Sequence, residues 1–199
     1  MPTGVAIRDA RQQLFDAAER VLLRDGPNAL TSRAVTDEAG VAKGVLHRHF
    51  ADFDDFLAEL VLDRIARVEH RAGPLLASAG TGTVAGNLTD LLTELFGSVA
   101  VAMVSLVTFR DELRARLRRT HPTGVPLLTE AAVAIAAYLA AERDLGRLSP
   151  GADVAVLAPT LLGAGHLLFA DRTGAPPRPD AVHEVVTTVL AGVTPGPRG

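Results

Sequence analysis

The chain contains no cysteine, which excludes disulfides, thiol catalysis and zinc held by thiolates, and fits a cytoplasmic protein. Catalytic motifs are missing too. There is no phosphate-cradling glycine loop, no nucleophile elbow and no HExxH, so no enzyme is expected. No metal or other cofactor is expected either: His47 and His49 lie two apart, and on a helix such side chains diverge. The first residues lack a signal-peptide pattern, because Arg8, Asp9 and Arg11 interrupt them before any apolar run. Long hydrophobic runs are scarce. Residues 154–170 come closest to a membrane span in length, but they hold Pro159, Thr160 and His166 and read as a helix buried between protein surfaces. Excess positive charge is also absent: the net charge of −3 argues against a general polyanion binder, so any nucleic-acid site must be a local patch.

What is present is helical periodicity. Hydrophobic residues make up 48% and charged residues 22% of the 199 residues, a globular rather than disordered balance. Apolar residues recur at steps of three and four, which predicts an all-α fold of about nine helices. A loose arm is expected over residues 1–6. Residues 8–24 read as the first helix, with Ala10, Leu14, Val21 and Leu22 on one stripe, ended by Gly26-Pro27. Arg8 and Arg11 belong to a solvated first turn or reach phosphates.

Residues 31–50, TSRAVTDEAGVAKGVLHRHF, read as two short helices. Thr31 caps the first, since its hydroxyl can accept from a free N–H of the opening turn. Gly40 ends it, because glycine takes the left-handed conformation of a helix exit at little cost. Two helices joined by a short glycine turn form a helix-turn-helix. In the second helix Leu46 and Phe50 point to the core, which leaves Lys43, Val45, His47, Arg48 and His49 on the other faces. Lysine and arginine suit phosphate oxygens, and arginine can also fork onto a guanine edge. Lys43 is the only lysine among 20 basic residues, and it sits where a flexible point charge would meet a phosphate. The same pattern also suits a helical hairpin with a solvated basic face.

The block from residue 14 to residue 60 resembles the DNA-binding domain of TetR-family transcriptional regulators. The matching elements are Ala17-Ala18, Gly26, Thr31, the AGV turn at 39–41, Lys43-Gly44, Leu46 and Phe50. The sequence departs from the family's usual residues at four places. Ala42 stands for serine, Val45 for threonine, His47 for tyrosine and Phe53 for lysine, and these changes remove several hydrogen-bond donors. The resemblance implies a three-helix DNA-binding domain over 1–51 and a larger helical ligand-binding and dimerisation domain over 52–199. It also implies a homodimer that represses a promoter from a palindromic operator on double-stranded DNA and is released by a small-molecule effector. The residues expected at DNA are Thr31, Ser32, Arg33, Lys43, Gly44, Val45, His47, Arg48 and His49. A helical small-molecule-binding or scaffolding protein with a degenerate helix-turn-helix is the alternative.

Downstream, Asp52 and Asp55 suit a helix start, and Gly73-Pro74 an end near Arg71. Residues 100–109 are apolar on nearly every face, so they are buried all round or line a cavity. In RDELRARLRR, 110–119, Glu112 and Arg116 are spaced to pair along a helix. Ser149-Pro150 reads as a helix start. Residues 172–179 read as a loop and 194–199 as a frayed tail. Phe96, Met103, Val107, Phe109, Tyr138 and His166 are the expected lining for a mainly hydrophobic effector, although a satisfied core histidine is the default reading of His166. The helices over 149–171 and 179–193 are expected to pair with their copies in a four-helix interface, helped by a smooth patch at 163–165 and a valine stripe.

Overall fold

A computed structural model describes residues 4–170 and 176–194. Among the described residues there are ten α-helices and no strand: α1 (Gly4–Asp25), α2 (Ser32–Glu38), α3 (Gly44–His49), α4 (Phe53–Ala77), α5 (Val84–Phe96), α6 (Ala100–Phe109), α7 (Asp111–Leu117), α8 (Leu128–Asp144), α9 (Val154–Phe169) and α10 (Pro179–Leu190). A single 3-10 turn, Pro27–Ala29, follows α1. The expected arm at 1–3, residues 172–175 of the expected loop, the tail at 195–199 and the side chain of Arg8 lie outside the described residues. Residues 4–6, expected in the arm, belong to α1.

The all-α expectation holds, with one helix more than read from periodicity. Arg110 takes an extended conformation (φ −119°, ψ 96°) and divides the apolar α6 from the charged α7. Packing divides the chain into two compact units. The first comprises the residues through 64 with 102–126, and the second residues 65–101 with 127 onward. This partition differs from the functional boundary read at 51/52, because α4 gives its first half to one unit and its second half to the other.

In the first unit, Leu14, Ala17, Ala18, Val21 and Leu22 of α1 are fully buried, as their spacing demands. Behind α3 sits an aromatic cluster: Phe50 lies 5.8 Å from Phe15 and 5.0 Å from Phe56, and Phe15 lies 5.6 Å from Phe56. Removing a ring of this kind from a core costs about 3–5 kcal/mol, so Phe50 fixes where α3 stands. Arg64 is buried and bonded to Glu19, and sits 3.1 Å from Asp63. A buried guanidinium is tolerated only with such partners.

The second unit is built on α5, α8, α9 and α10, whose apolar stripes meet in one core that includes Leu88, Leu92, Phe96, Ile135, Leu161 and Val186. Gly165 lies where an added Cβ would come within 3.0 Å of the Phe96 ring, so the glycine permits close approach of α9 to α5.

Three local expectations are corrected. Gly73-Pro74 does not end α4. The helix runs on to Ala77 because Leu75 is buried in the second core and Ser78 closes the last turn, its N–H and hydroxyl both donating to the Leu75 carbonyl. Ser149-Pro150 does not start α9. The start is Val154, capped by Asp153, whose carboxylate accepts from the N–H groups of Ala155 and Val156 at 3.1 and 3.3 Å. Arg116 does not pair with Glu112: it reaches Asp52, at the start of α4, at 2.6 Å.

Candidate nucleic-acid interface

The helix-turn-helix is assembled by local chemistry. Thr31 Oγ1 accepts from the Ala34 N–H at 3.1 Å and caps α2. Thr36 is buried and turns its hydroxyl back to the carbonyls of Ser32 and Arg33. At the other end Gly40 adopts φ +66°, and the Val41 N–H donates to the Thr36 carbonyl at 3.0 Å, the six-to-one bond of a Schellman close. α3 then buries Leu46 completely and Phe50 nearly so. Those two anchors roll the opposite face outward.

On that face Lys43, Gly44, His47 and Arg48 are exposed, while Val45 and His49 are half-buried. Neither Lys43 nor Arg48 forms an ion pair with another described residue. The surrounding carboxylates are already engaged. Glu38 takes hydrogen bonds from Arg20 at 2.7 Å and Arg24 at 2.8 Å, which hold its carboxyl below the usual carboxylate range. Asp37 lies 3.5 Å from Arg33. The two free cations therefore define the local field, despite the chain's negative total.

The remaining expected DNA residues divide. Thr31 and Arg33 are exposed, with the Arg33 side chain 82% accessible. The Ser32 hydroxyl is out of solvent contact and has no hydrogen-bond partner among the described residues. His49 sits edge-on to Phe50 at 6.4 Å, and its carbonyl accepts from Arg11. Arg11 is a strut: its guanidinium lies 4.5 Å from the Phe50 ring centre and 3.0 Å from Glu59, neither in open solvent nor free for a phosphate. Sequence spacing gave no sign of that role, which joins residues 38 and 48 positions apart. Phe53, where the family resembled has lysine, is folded inward, stacked on Phe56 at 5.6 Å and covered by the Arg110 guanidinium at 5.3 Å.

The six expected effector residues fall three to each unit. In the second, Phe96 is buried and meets the half-buried His166 edge-on at 5.7 Å, and His166 Nε2 is out of solvent contact without a hydrogen-bond partner. Tyr138 is fully buried. Its hydroxyl accepts from Asn87 Nδ2 at 2.9 Å and bonds Glu142, and burial, then the Glu142 bond, push its pKa up to about 12. In the first unit Met103 and Val107 are buried. Phe109, expected inside a bundle with the others, is 86% exposed, since it ends α6 just before the extended Arg110.

Of the expected smooth patch on α9, Gly165 is taken up against Phe96, while Gly163 faces open space. The valine stripe of α10 is divided: Val182 and Val186 are buried in the chain's own core, and Val185 and Val189 are half-buried. Val156, Pro159, Thr160, Gly163 and Leu167 of α9 are exposed along one face, Leu167 at 76%. Among the described residues, no single helix is long and apolar enough to cross a membrane.

Comparison with known proteins agrees with this geometry. Residues 14–60 match the family model for bacterial regulatory proteins of the tetR family. No curated protein matches the chain. Solved structures share its fold over nearly the whole length. A TetR-family transcriptional regulator from Agrobacterium tumefaciens is 14% identical, with 94% of this chain and 99% of that one covered and a TM-score of 0.71. The regulator FadR from Bacillus subtilis, solved with stearoyl-CoA, is 19% identical, with 91% and 98% covered and a TM-score of 0.66. A Saccharomonospora viridis protein described as a transcriptional regulator, solved with choline, is 16% identical, with 95% and 100% covered and a TM-score of 0.69.

Proposed function

With residues 14–60 a tetR-family domain, we infer that the chain is a ligand-responsive, DNA-binding transcriptional regulator rather than an enzyme. The observation that carries the reading is the outward face of α3, where two unpaired cations and His47 stand clear of the chain on a helix anchored from behind by Leu46 and Phe50. Lys43 and Arg48 hold phosphates together with the Thr31–Arg33 turn, and Val45, His47 and His49 face base edges. The Ser32 hydroxyl is shielded from solvent, so Ser32 contributes through its backbone.

The regulator acts in the cytoplasm as a repressor. Its functional boundary lies at 51/52, the reading head before it and the ligand-binding and dimerisation part after it. Two copies joined through α9 and α10 set their α3 helices one DNA turn apart, which calls for a palindromic operator. The exposed face of α9, with Val156, Gly163 and Leu167, supports that pairing.

The effector is a mainly hydrophobic small molecule, and the Phe96–His166 pair supplies an apolar wall with one unbonded ring nitrogen. Solved relatives carry stearoyl-CoA or choline, so apolar chains and compact cations are both in the screen. A ligand can switch the protein only by binding one arrangement of the reading heads better than another.

Footprinting on the DNA upstream of the gene tests the reading. Protection of two inverted half-sites with centres one turn apart is expected, lifted by a compound that also raises the thermal midpoint. Stabilisation by small molecules with no protection anywhere upstream would favour a ligand-binding protein with a degenerate reading head.

A further inference from the structure

The reading helix α3 holds only six residues, too few to be stable or to set its own orientation. Its apolar anchors, Leu46 and Phe50, lie four apart on one face and are buried. Apolar contact is non-directional, so these two fix how deep α3 sits and leave its roll about that line unset. Base recognition needs the helix held to about 0.5 Å and about 10–20°. Hydrogen bonds are directional and can supply that restraint. Two side chains of α1 make them, one at each end of α3. Gln13 Nε2 donates at 2.9 Å to the carbonyl of Ala39, the residue that closes α2 before the turn into α3. Arg11 Nη1 donates at 3.3 Å to the carbonyl of His49, the last residue of α3 and one of the acceptors that a helix end leaves without an internal partner. Arg11 and Gln13 are two apart on α1, so their side chains diverge, as spanning both ends of α3 requires. The Arg11 guanidinium is itself held, by Glu59 of α4 at 3.0 Å and by the Phe50 ring at 4.5 Å.

We propose that Arg11 and Gln13 are positioning residues for sequence reading. They clamp α3 at its entry and its exit, set the angle at which Val45, His47 and His49 meet base edges, and touch no DNA themselves. Arg11 is half-buried and Gln13 exposed, and bonds at such sites add little to stability, so the clamp governs orientation more than folding. Its loss lowers the preference for the operator and leaves the phosphate contacts of Lys43 and Arg48 in place. The effect on sequence preference rests on the DNA-binding reading above; the restraint on α3 does not.

Titrations of the full chain on its upstream DNA and on an unrelated duplex of equal length, each over a range of salt, separate the roles. Arg11→Met and Gln13→Met keep apolar stems and remove the donors. Each should weaken binding to the upstream fragment about three-fold or more, and the double variant about ten-fold or more, with affinity for the unrelated duplex and both salt slopes unchanged. Arg11→Lys, which keeps one donor but loses the fork, should fall between wild type and Arg11→Met. A slope flattened by about one unit in Arg11→Met, with equal losses on both duplexes, would make Arg11 a phosphate contact and overturn the proposal. So would a double variant with the wild-type operator preference. Hydrogen exchange on the free proteins reads the clamp without DNA: amides 48–50 should exchange faster in the double variant, and amides 14–21 of α1 should not. Unchanged exchange at 48–50, or an equal rise in both helices, overturns the positioning role. Gln13 is exposed, so Gln13→Met carries the test should Arg11→Met fail to fold. A wild-type chain that prefers no upstream fragment, while the exchange difference holds, would count against the regulator reading and leave the clamp standing.

Discussion

Tyr138 is the only tyrosine in a chain without tryptophan, so near-ultraviolet absorbance follows one phenol. Buried, and bonded to Asn87 and Glu142, that phenol has its pKa pushed up to about 12 from the ordinary 10.0. The folded state thus holds its proton more tightly than the unfolded chain does. The stability this contributes is fully present below the unfolded value and lost as pH rises through the folded one. Tyrosinate absorbance in the intact protein should therefore appear only near pH 12, together with loss of helical signal. Titration near 10 with the fold intact would show the hydroxyl to be solvated. Lys43 and Arg48 are tested differently. Each sits unpaired on the α3 face, so Lys43→Ala should weaken DNA binding across all sequences and flatten the salt slope by about one unit. Arg48→Ala should do the same if it holds a phosphate, or relax sequence preference at one position if it reads a base. An unaltered slope for Lys43→Ala would remove its phosphate role.

Helix ends show where sequence patterns suffice and where they fail. Thr31 and Gly40 were legible because capping and a left-handed exit are local chemistry, settled within five residues. Leu46 and Phe50 were legible for the same reason: four apart on one helix, both had to face inward. The start of α9 was misread because Ser149-Pro150 is a good local signal, overruled when the Ser149 N–H was drawn to the Val193 carbonyl. Asp153→Ala should accordingly cost about 1 kcal/mol in denaturant unfolding, and Ser149→Ala much less. Equal losses would restore the earlier start. Arg116 was misread because its partner, Asp52, lies 64 positions away, a separation no periodicity encodes. Asp52 accepts from the Asp55 N–H and from Arg116, and both, in that order, hold its carboxyl below the usual range. Its contribution is present above the unfolded pKa and lost as pH falls through the folded one. Asp52→Asn should lower the thermal midpoint at neutral pH and match the wild type in strong acid. A gap that persists unchanged into acid would mean that the carboxylate's charge is immaterial.

For the molecule as a whole, the fold class was written in the periodicity, whereas the grouping of its parts was not. Phe96, Met103, Phe109 and Tyr138 look alike in sequence, as apolar or aromatic residues on apolar helices. Two buried cores and one exposed helix end separate them, and only the folding of distant segments decides which residue goes where. The proposed dimer depends on the same kind of information. Val182 and Val186 of α10 are used internally, which leaves the exposed α9 face around Leu167 to carry the pairing. Leu167→Glu should then yield a monomer by light scattering at micromolar concentration, with helix content kept. A dimer that survives the change would move the interface elsewhere.

Binding of the intact protein to its own upstream DNA, followed by fluorescence anisotropy over a range of salt concentrations, tests the central claim most directly. The outward cationic face of α3 predicts saturable binding that weakens steeply with salt and collapses in the Lys43→Ala, Arg48→Ala double variant. Wild-type affinity and slope in that double variant, or no binding to any upstream fragment at low salt, would contradict it.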